Sequence, residues 1–371
     1  MAVLDPSFKR TLKRYGAGDF SACYNCGTCT AVCNLSEKNA EFPRKLLRYG
    51  MLGMKEEALA DPALWLCYAC GSCSDTCPRD ADPKAYMAAL RRYAVARSEP
   101  TGLTGLLFTS NPLSIVFSLV LALVLGFFML TLKPDHVVSR WIFEALPYEI
   151  IHNVGLIVMI LTVISMLFGV VMMFRRLFKG FKLPERPWAA LVDAVKKTIV
   201  ELISMKRYRS CDNDEESFWR TRPLVTKPWF VHLSIMWGFI GLLVATAVNF
   251  ILKDPGTQVW LPTRLLGTIS GIALVYGSSL AIYYRLAKIT SSYKKSSLSD
   301  WLFLGSLWFA GVSGFWMEIA VTADWASSLN RIVFLLHTVV SMELVLLFAF
   351  SKFAHAFYRP VALFTHFFRK A

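Results

Sequence analysis

Six stretches of this chain, at about residues 112–132, 150–174, 229–252, 263–287, 301–322 and 330–357, run for more than twenty residues each with few charges. A hydrocarbon layer of ~30 Å is crossed by about 20 helical residues. Lipid offers backbone N–H and C=O groups no partners, so a segment of this length must satisfy its own backbone, which makes it a helix. Of the 371 residues, 55% are hydrophobic, above the range of an ordinary soluble domain. The expected class is all-α, with a membrane body over 101–371. Residues 1–100 carry charge throughout and hold no such run, so they are expected to form a water-soluble head.

The opening "MAVLDPSFKRTLKRYGAG" lacks the apolar core and small-residue cleavage site of a secretory signal, so the head is expected to stay in the cytoplasm. Six spans then return the C-terminus to the same side. Lys and Arg agree: the inside segments hold "RRLFKGFK", "KKTIVELISMKRYR", "RLAK" and "SSYKKS", and the outside loops only Lys133, Arg140, Lys253, Arg264 and Arg331. The net charge of +14 is thus an orientation signal and an attraction to an anionic inner leaflet, not a nucleic-acid surface. A multi-pass protein of the cytoplasmic (inner) membrane is expected. Residues 187–206, "PWAALVDAVKKTIVELISMK", read as an amphipathic helix on the inner interface or under the head.

Eight of nine cysteines fall in two runs, "CYNCGTCTAVCN" at 23–34 and "CYACGSCSDTCP" at 67–78. A reducing cytoplasm argues against disulfides and for metal ligation. Zinc is the alternative, but it favours paired knuckles and would leave cysteines idle at C-x2-C-x2-C-x3-C. The spacing resembles the bacterial ferredoxin pattern, in which three thiols wrap one cubane and the fourth reaches its neighbour. That resemblance implies one [4Fe-4S] cluster on Cys23, Cys26, Cys29 and Cys77, and a second on Cys67, Cys70, Cys73 and Cys33. Pro78 follows the second run as the pattern expects; Asn34 takes that place in the first. Between and after the runs, "EKNAEFPRKLLRYGMLGMKEEALA" and "DPKAYMAALRRYAVAR" are rich in helix formers. The head therefore resembles the helical ferredoxins of succinate dehydrogenase and heterodisulfide reductase. The ninth thiol, Cys211, follows in an acidic turn with no second thiol expected beside it, and is expected to be structural.

Histidines 152, 232, 337 and 355 fall in the spans, where an imidazole needs a partner; 136 and 366 fall in a loop and the tail. Bonding to a neighbouring helix is the bland use for each. His337 and His355 lie 18 residues apart on the sixth span, five turns, which places both on one face about 27 Å apart. His232 matches the depth of His355 near the inner side, and His152 approaches that of His337 near the outer side. Two haems b satisfy this arrangement, an inner one on His232 and His355 and an outer one on His152 and His337. His136 is the rival outer ligand. Glycines 155, 238, 241, 267, 271, 311 and 314 would let helices approach.

"KPWFVHLSIMWGFIGL" and the histidine pair of the last span resemble the cytochrome b module of nitrate reductase gamma subunits and the membrane subunit of heterodisulfide reductase. Leu242 stands where the former carries a second histidine. The fused order resembles the C-subunit family of quinone-interacting membrane-bound oxidoreductases (Qmo) of sulfate-reducing organisms. That resemblance implies a six-helix dihaem cytochrome b bundle, exchange with the menaquinone/menaquinol pool, two soluble flavin/iron-sulfur subunits as partners, and electrons sent indirectly toward adenylylsulfate reductase. The chain has no adjacent cysteine pair, so it lacks the Cys-Cys-Gly motif of disulfide cleavage. Glu149 and Glu318 are the quinone-site candidates, as acids beside a haem ligand or near the outer end of a span. Glu343, mid-span, is expected to serve a proton path or bond a neighbour. Two alternatives stand: a heterodisulfide-reductase-like complex with another cytoplasmic acceptor, and a non-haem anchor for the iron-sulfur head.

Overall fold

The computed structural model describes residues 4–36, 42–132, 141–181, 184–213, 217–252, 261–294 and 296–370. It is all-α, with no strand among the described residues. His136, Lys133, Arg140 and Lys253 lie outside them.

The head comprises α1 (Phe8–Arg14), α2 (Thr28–Ala31), α3 (Arg44–Leu52), α4 (Lys55–Ala60), α5 (Ser72–Asp75) and α6 (Pro83–Ser98). Asp82 caps α6 by accepting from the Ala85 N–H, with Pro83 at the first helical position, where its missing N–H costs nothing. After α7 (Leu103–Thr109) come the long helices α8 (Asn111–Thr131), α10 (Tyr148–Leu177), α13 (Pro228–Leu252), α14 (Leu261–Leu286), α16 (Leu298–Thr322) and α17 (Ser328–Leu346), with α9 (Trp141–Ala145) between the first two. These six are long and apolar enough to cross a membrane, the pattern of a multi-pass membrane protein. A reciprocal Ser297 and Asp300 capping box starts α16. The rest of the head-side layer is α11 (Pro187–Ser204), α12 (Lys206–Asp212), α15 (Ser291–Lys294) and α18 (His355–Lys370).

Close helix contact explains several glycines. A Cβ on Gly238 would lie within 3 Å of the Leu274 and Ser270 backbone of α14, and one on Gly277 would meet the Val231 carbonyl of α13. In lipid such close approach supplies the packing that hydrophobic exclusion cannot.

The sixth span departs from expectation. It ends at Leu346, not near 357, and the chain turns through 347–351 before a short 3-10 turn at Lys352–Ala354. His337 and His355 are therefore on different helices, and the five-turn register does not apply. The physical reason is local: Ser351 is extended and its side chain accepts from the Phe353 N–H, which replaces a helical bond. Phe353 then inserts among Phe348 at 4.4 Å, Phe303 at 4.0 Å and Phe239 at 4.9 Å. Lys352 pairs with Asp300 of α16.

Helix α18 packs along α11, whose Ala190, Ala194, Thr198 and Glu201 face inward while Trp188, Val192, Val195, Ile199 and Ile203 are exposed. One core joins head and bundle: Leu64, Trp65, Leu66, Met87 and Leu90 of the head, Met173 and Leu177 of α10, and Tyr358, Ala362 and Leu363 of α18.

Candidate iron-sulfur and haem sites

The two cysteine runs fold alike. Asn25 and Ala69 both take left-handed backbone (φ 65° and 58°), as do Gly27 and Gly71 (φ 92° and 105°), and a single helical turn follows each glycine. A left-handed Ala costs about 1–2 kcal/mol, so the loop shape is imposed by its setting. That shape turns backbone N–H groups onto sulfur: Asn25 donates to Cys23 Sγ at 3.4 Å and Ala69 to Cys67 Sγ at 3.2 Å. Thr28 Oγ1 lies 3.2 Å from Cys26 Sγ, and Ser72 Oγ 3.7 Å from Cys70 Sγ.

The fourth thiols cross between the runs. Cys33 lines a cavity with Cys67, Cys70 and Cys73. Burial first, then the charges of Cys67 and Cys70, pushes its thiol up to about 12. Burial raises Cys29 too, with Cys23, Cys26 and Cys77 adding to it. Cys73 is driven above the usual thiol range by burial and by its sulfur neighbours. Thiols crowded this way oppose shared ionisation unless cationic iron compensates, and N–H bonds to sulfur are a known means of tuning such clusters. The donor set fits two [4Fe-4S] cages. Among the described residues, no three His, Cys, Asp or Glu side chains gather tightly enough for a single ion.

The premise behind reading Cys211 as structural does not hold. Cys211 is buried and lines the same cavity as Cys33, Cys67, Cys70 and Cys73, so it does have thiols beside it. Sequence separation hid this, because α12 reaches the head only through the tertiary fold.

From this cavity an aromatic path leads into the bundle. Tyr68 follows Cys67 and stacks on Tyr208 of α12 at 4.7 Å. The Tyr208 ring is 5.9 Å from His232 of α13, and His232 is 6.2 Å from His355 at the start of α18. Arg359, one turn beyond His355, lies over the Tyr68 ring at 3.6 Å. It donates to the Leu66 carbonyl at 3.2 Å and the Cys67 carbonyl at 3.3 Å; Arg91 donates to the latter at 3.0 Å. Tyr68 Oη donates to Glu201 of α11 at 2.5 Å.

His232 and His355 are the one histidine ring pair among the described residues. Two imidazoles that shared one metal through nitrogens at about 2 Å would have ring centres about 6.4 Å apart, and the 6.2 Å between His232 and His355, with the rings inclined at 68°, is of that size. His355 Nδ1–H donates to the Lys352 carbonyl at 2.5 Å, which leaves Nε2 as the lone-pair nitrogen. The buried Nδ1 of His232 has no hydrogen-bond partner among the described residues.

The far-end histidines have these described contacts. His337 Nδ1–H bonds Ser313 Oγ at 2.9 Å, whose own hydroxyl donates to the Phe309 carbonyl at 2.6 Å. His152, on α10, has its ring 6.0 Å from Tyr148. Leu242 packs against the core around Leu274 and Leu307. Glu318 accepts from Arg264 at 3.3 Å and Thr268 at 3.0 Å, and Glu343 is buried and accepts from Ser118 of α8. Glu149 stands in the first turn of α10.

Residues 19–81 match the 4Fe-4S dicluster domain. The dicluster head is 37% identical over 76 residues to the C subunit of the H2:CoB-CoM heterodisulfide, ferredoxin reductase of Methanothermobacter thermautotrophicus, which is 20% of this chain and 41% of that protein. It is 34% identical over 109 residues to a heterodisulfide reductase C-subunit-like protein of Archaeoglobus profundus, covering 28% of this chain and 58% of the relative. A third relative, an iron-sulfur C subunit of the CoB-CoM heterodisulfide reductase of Methanocaldococcus jannaschii, is 37% identical over 76 residues, 20% of this chain and 40% of its own length. The chain thus spans about half the length of the curated relatives it matches. The dicluster head is an iron-sulfur electron-transfer module similar to these relatives.

Proposed function

We propose that this chain is the membrane electron-transfer subunit of a quinone-dependent oxidoreductase, the C subunit of a Qmo-type complex, with its head in the cytoplasm. Cys23, Cys26, Cys29 and Cys77 hold one [4Fe-4S] cluster, and Cys67, Cys70, Cys73 and Cys33 the other. His232 and His355 hold a haem b at the head-side end of the bundle, and His152 and His337 hold a second toward the far end. When bound, these groups take up and release single electrons. The substrate is menaquinol, which gives two electrons and two protons on becoming menaquinone; the reverse reaction uses the same residues.

One observation carries this reading: the His232 and His355 pair, 6.2 Å apart, adjoins the second cysteine cavity through Tyr208 and Tyr68. The chain's own residues act as a clamp. Arg359 and His355 share α18, so the helix that presents an imidazole to the bundle also grips the Cys67 loop. Tyr68 and Tyr208 fill the gap with apolar rings and exclude water from it. Glu149 and Glu318 are the acids available for proton exchange with quinone; the ion pair of Glu318 with Arg264 favours Glu149.

Electrons leave through two soluble flavin/iron-sulfur subunits toward adenylylsulfate reductase. A second reading, a heterodisulfide-reductase-like complex with another cytoplasmic acceptor, is supported by the identities of the dicluster head; co-purification of the native complex separates the two. The test of the conduit itself is a dithionite-reduced spectrum of the purified chain. Low-spin b-haem bands are expected. Their absence would leave a haem-free anchor for the iron-sulfur head.

A further inference from the structure

The two cysteine runs have matching loop backbones, yet fixed charge reaches them differently. In the second run the Cys67 carbonyl accepts from two guanidiniums, Arg91 of α6 at 3.0 Å and Arg359 of α18 at 3.3 Å. Arg359 also donates to the Leu66 carbonyl at 3.2 Å. In the first run the corresponding loop meets Arg44, which donates to the Asn25 side chain at 2.9 Å. We infer that Arg91 and Arg359 are a cation pair at the neck of the second cluster site, which raises the reduction potential of that cluster above its neighbour's.

Two guanidiniums converging on one neutral carbonyl repel each other, and a carbonyl dipole alone offsets little of that repulsion. A cage of iron, sulfide and four thiolates carries net negative charge and offsets it. Arginine stays charged in any protein setting, so both positive charges are permanent. Lys84, about two turns before Arg91 on the same face of α6, lines the cavity with Cys33, Cys67, Cys70 and Cys73. Its ammonium donates to the carbonyl of Ser292 at 2.5 Å, and the Ser292 hydroxyl donates to the Cys70 carbonyl at 2.6 Å. Acids nearby are engaged: Glu201 accepts from Tyr68 at 2.5 Å and Asp82 from Ser74 at 2.8 Å. Reduction adds one electron to the cage, so fixed cations beside a ligand favour the reduced form, net charge being one of the terms that set cluster potentials. Two otherwise similar cages become unequal. An electron reaching the head from the bundle rests first at the site beside Tyr68 and Tyr208. Arg91 and Arg359 act through the Cys67 loop and are positioning and tuning residues.

This inference rests on the reading that each run holds a cluster. The test is an anaerobic redox titration of the full-length purified chain followed by EPR, with iron and sulfide counted, for wild type, Arg91→Gln, Arg91→Lys and Arg359→Gln. In wild type the two cluster midpoints should differ by at least about tenfold in the one-electron equilibrium, ~59 mV. Arg91→Gln, which keeps a donor but not the charge, should lower the higher midpoint by about that much while the other midpoint and the iron content hold. Arg359→Gln, from a different helix, should lower the same midpoint. Arg91→Lys, which keeps the charge but not the fork, should stay near wild type. Coincident midpoints in wild type overturn the inference whether or not the variants fold. So do unmoved midpoints in both glutamine variants, a fall in the lower midpoint instead of the higher, or a lysine variant that falls as far as glutamine, which would reduce Arg91 to a structural clamp. A wild type with iron for one cluster alone overturns the cluster reading itself, and this inference with it.

Discussion

At the scale of single residues, the iron-sulfur character of the head was legible in the spacing of the two cysteine runs, which fall inside the matched dicluster domain. Cys33 shows how far that logic reaches, since it leaves its own run to line the cavity of Cys67, Cys70 and Cys73. Replacing Cys33 with Ala should therefore remove about half of the bound iron and alter the EPR signal of the second run's cluster; iron analysis checks this. Cys211, Tyr208 and Arg359 were not legible, because a lone thiol, tyrosine or arginine acquires meaning only from what the fold brings to it. Asp212 belongs with them. Burial raises its carboxyl from 3.8 to about 7, so between about pH 4 and 7 the folded chain holds a proton that the unfolded chain has released. The stability this gives is full below about pH 4 and is lost as pH rises through about 7. Asp212→Asn keeps an acceptor for the Trp229 N–H and should flatten that slope, seen as a higher Tm than wild type at about pH 8 but not at about pH 4.

Among elements, length and apolarity set the number of spans, whereas the end of the last one was missed. Hydropathy continues through "LLFAFSKFAHAFY", but the hydroxyl of Ser351 and the ring of Phe353 decide where the helix stops. His355 nonetheless reaches His232, because α18 docks at a defined place. Tyr358 packs against α10, where a Cβ on Gly169 would collide with its hydroxyl. Gly169→Val should lift α18, lowering Tm and head-side haem content together. Arg359→Ala removes two charge-assisted hydrogen bonds and the ring contact to Tyr68, a loss of roughly 1–3 kcal/mol. Hydrogen exchange should rise in the Leu66–Tyr68 loop while the first cysteine run stays protected. Lys at 359 should not rescue it, since the ammonium lacks the planar fork.

Over the whole molecule, head and membrane body were expected as separate regions, yet they share a core through Tyr358, Leu363, Met173 and Met87. No sequence periodicity records a contact between residue 68 and residue 359. It arises because α11, α12 and α18 form a layer between the bundle and the head. This layer gives the chain its central property, an imidazole pair set one aromatic stack away from a cysteine cage. The most direct measurement is haem b per chain by pyridine haemochrome, on wild type and His355→Ala purified in parallel with iron counted. The account predicts that His355→Ala loses one haem while retaining its iron-sulfur iron. Haem content equal to wild type in that variant would contradict it.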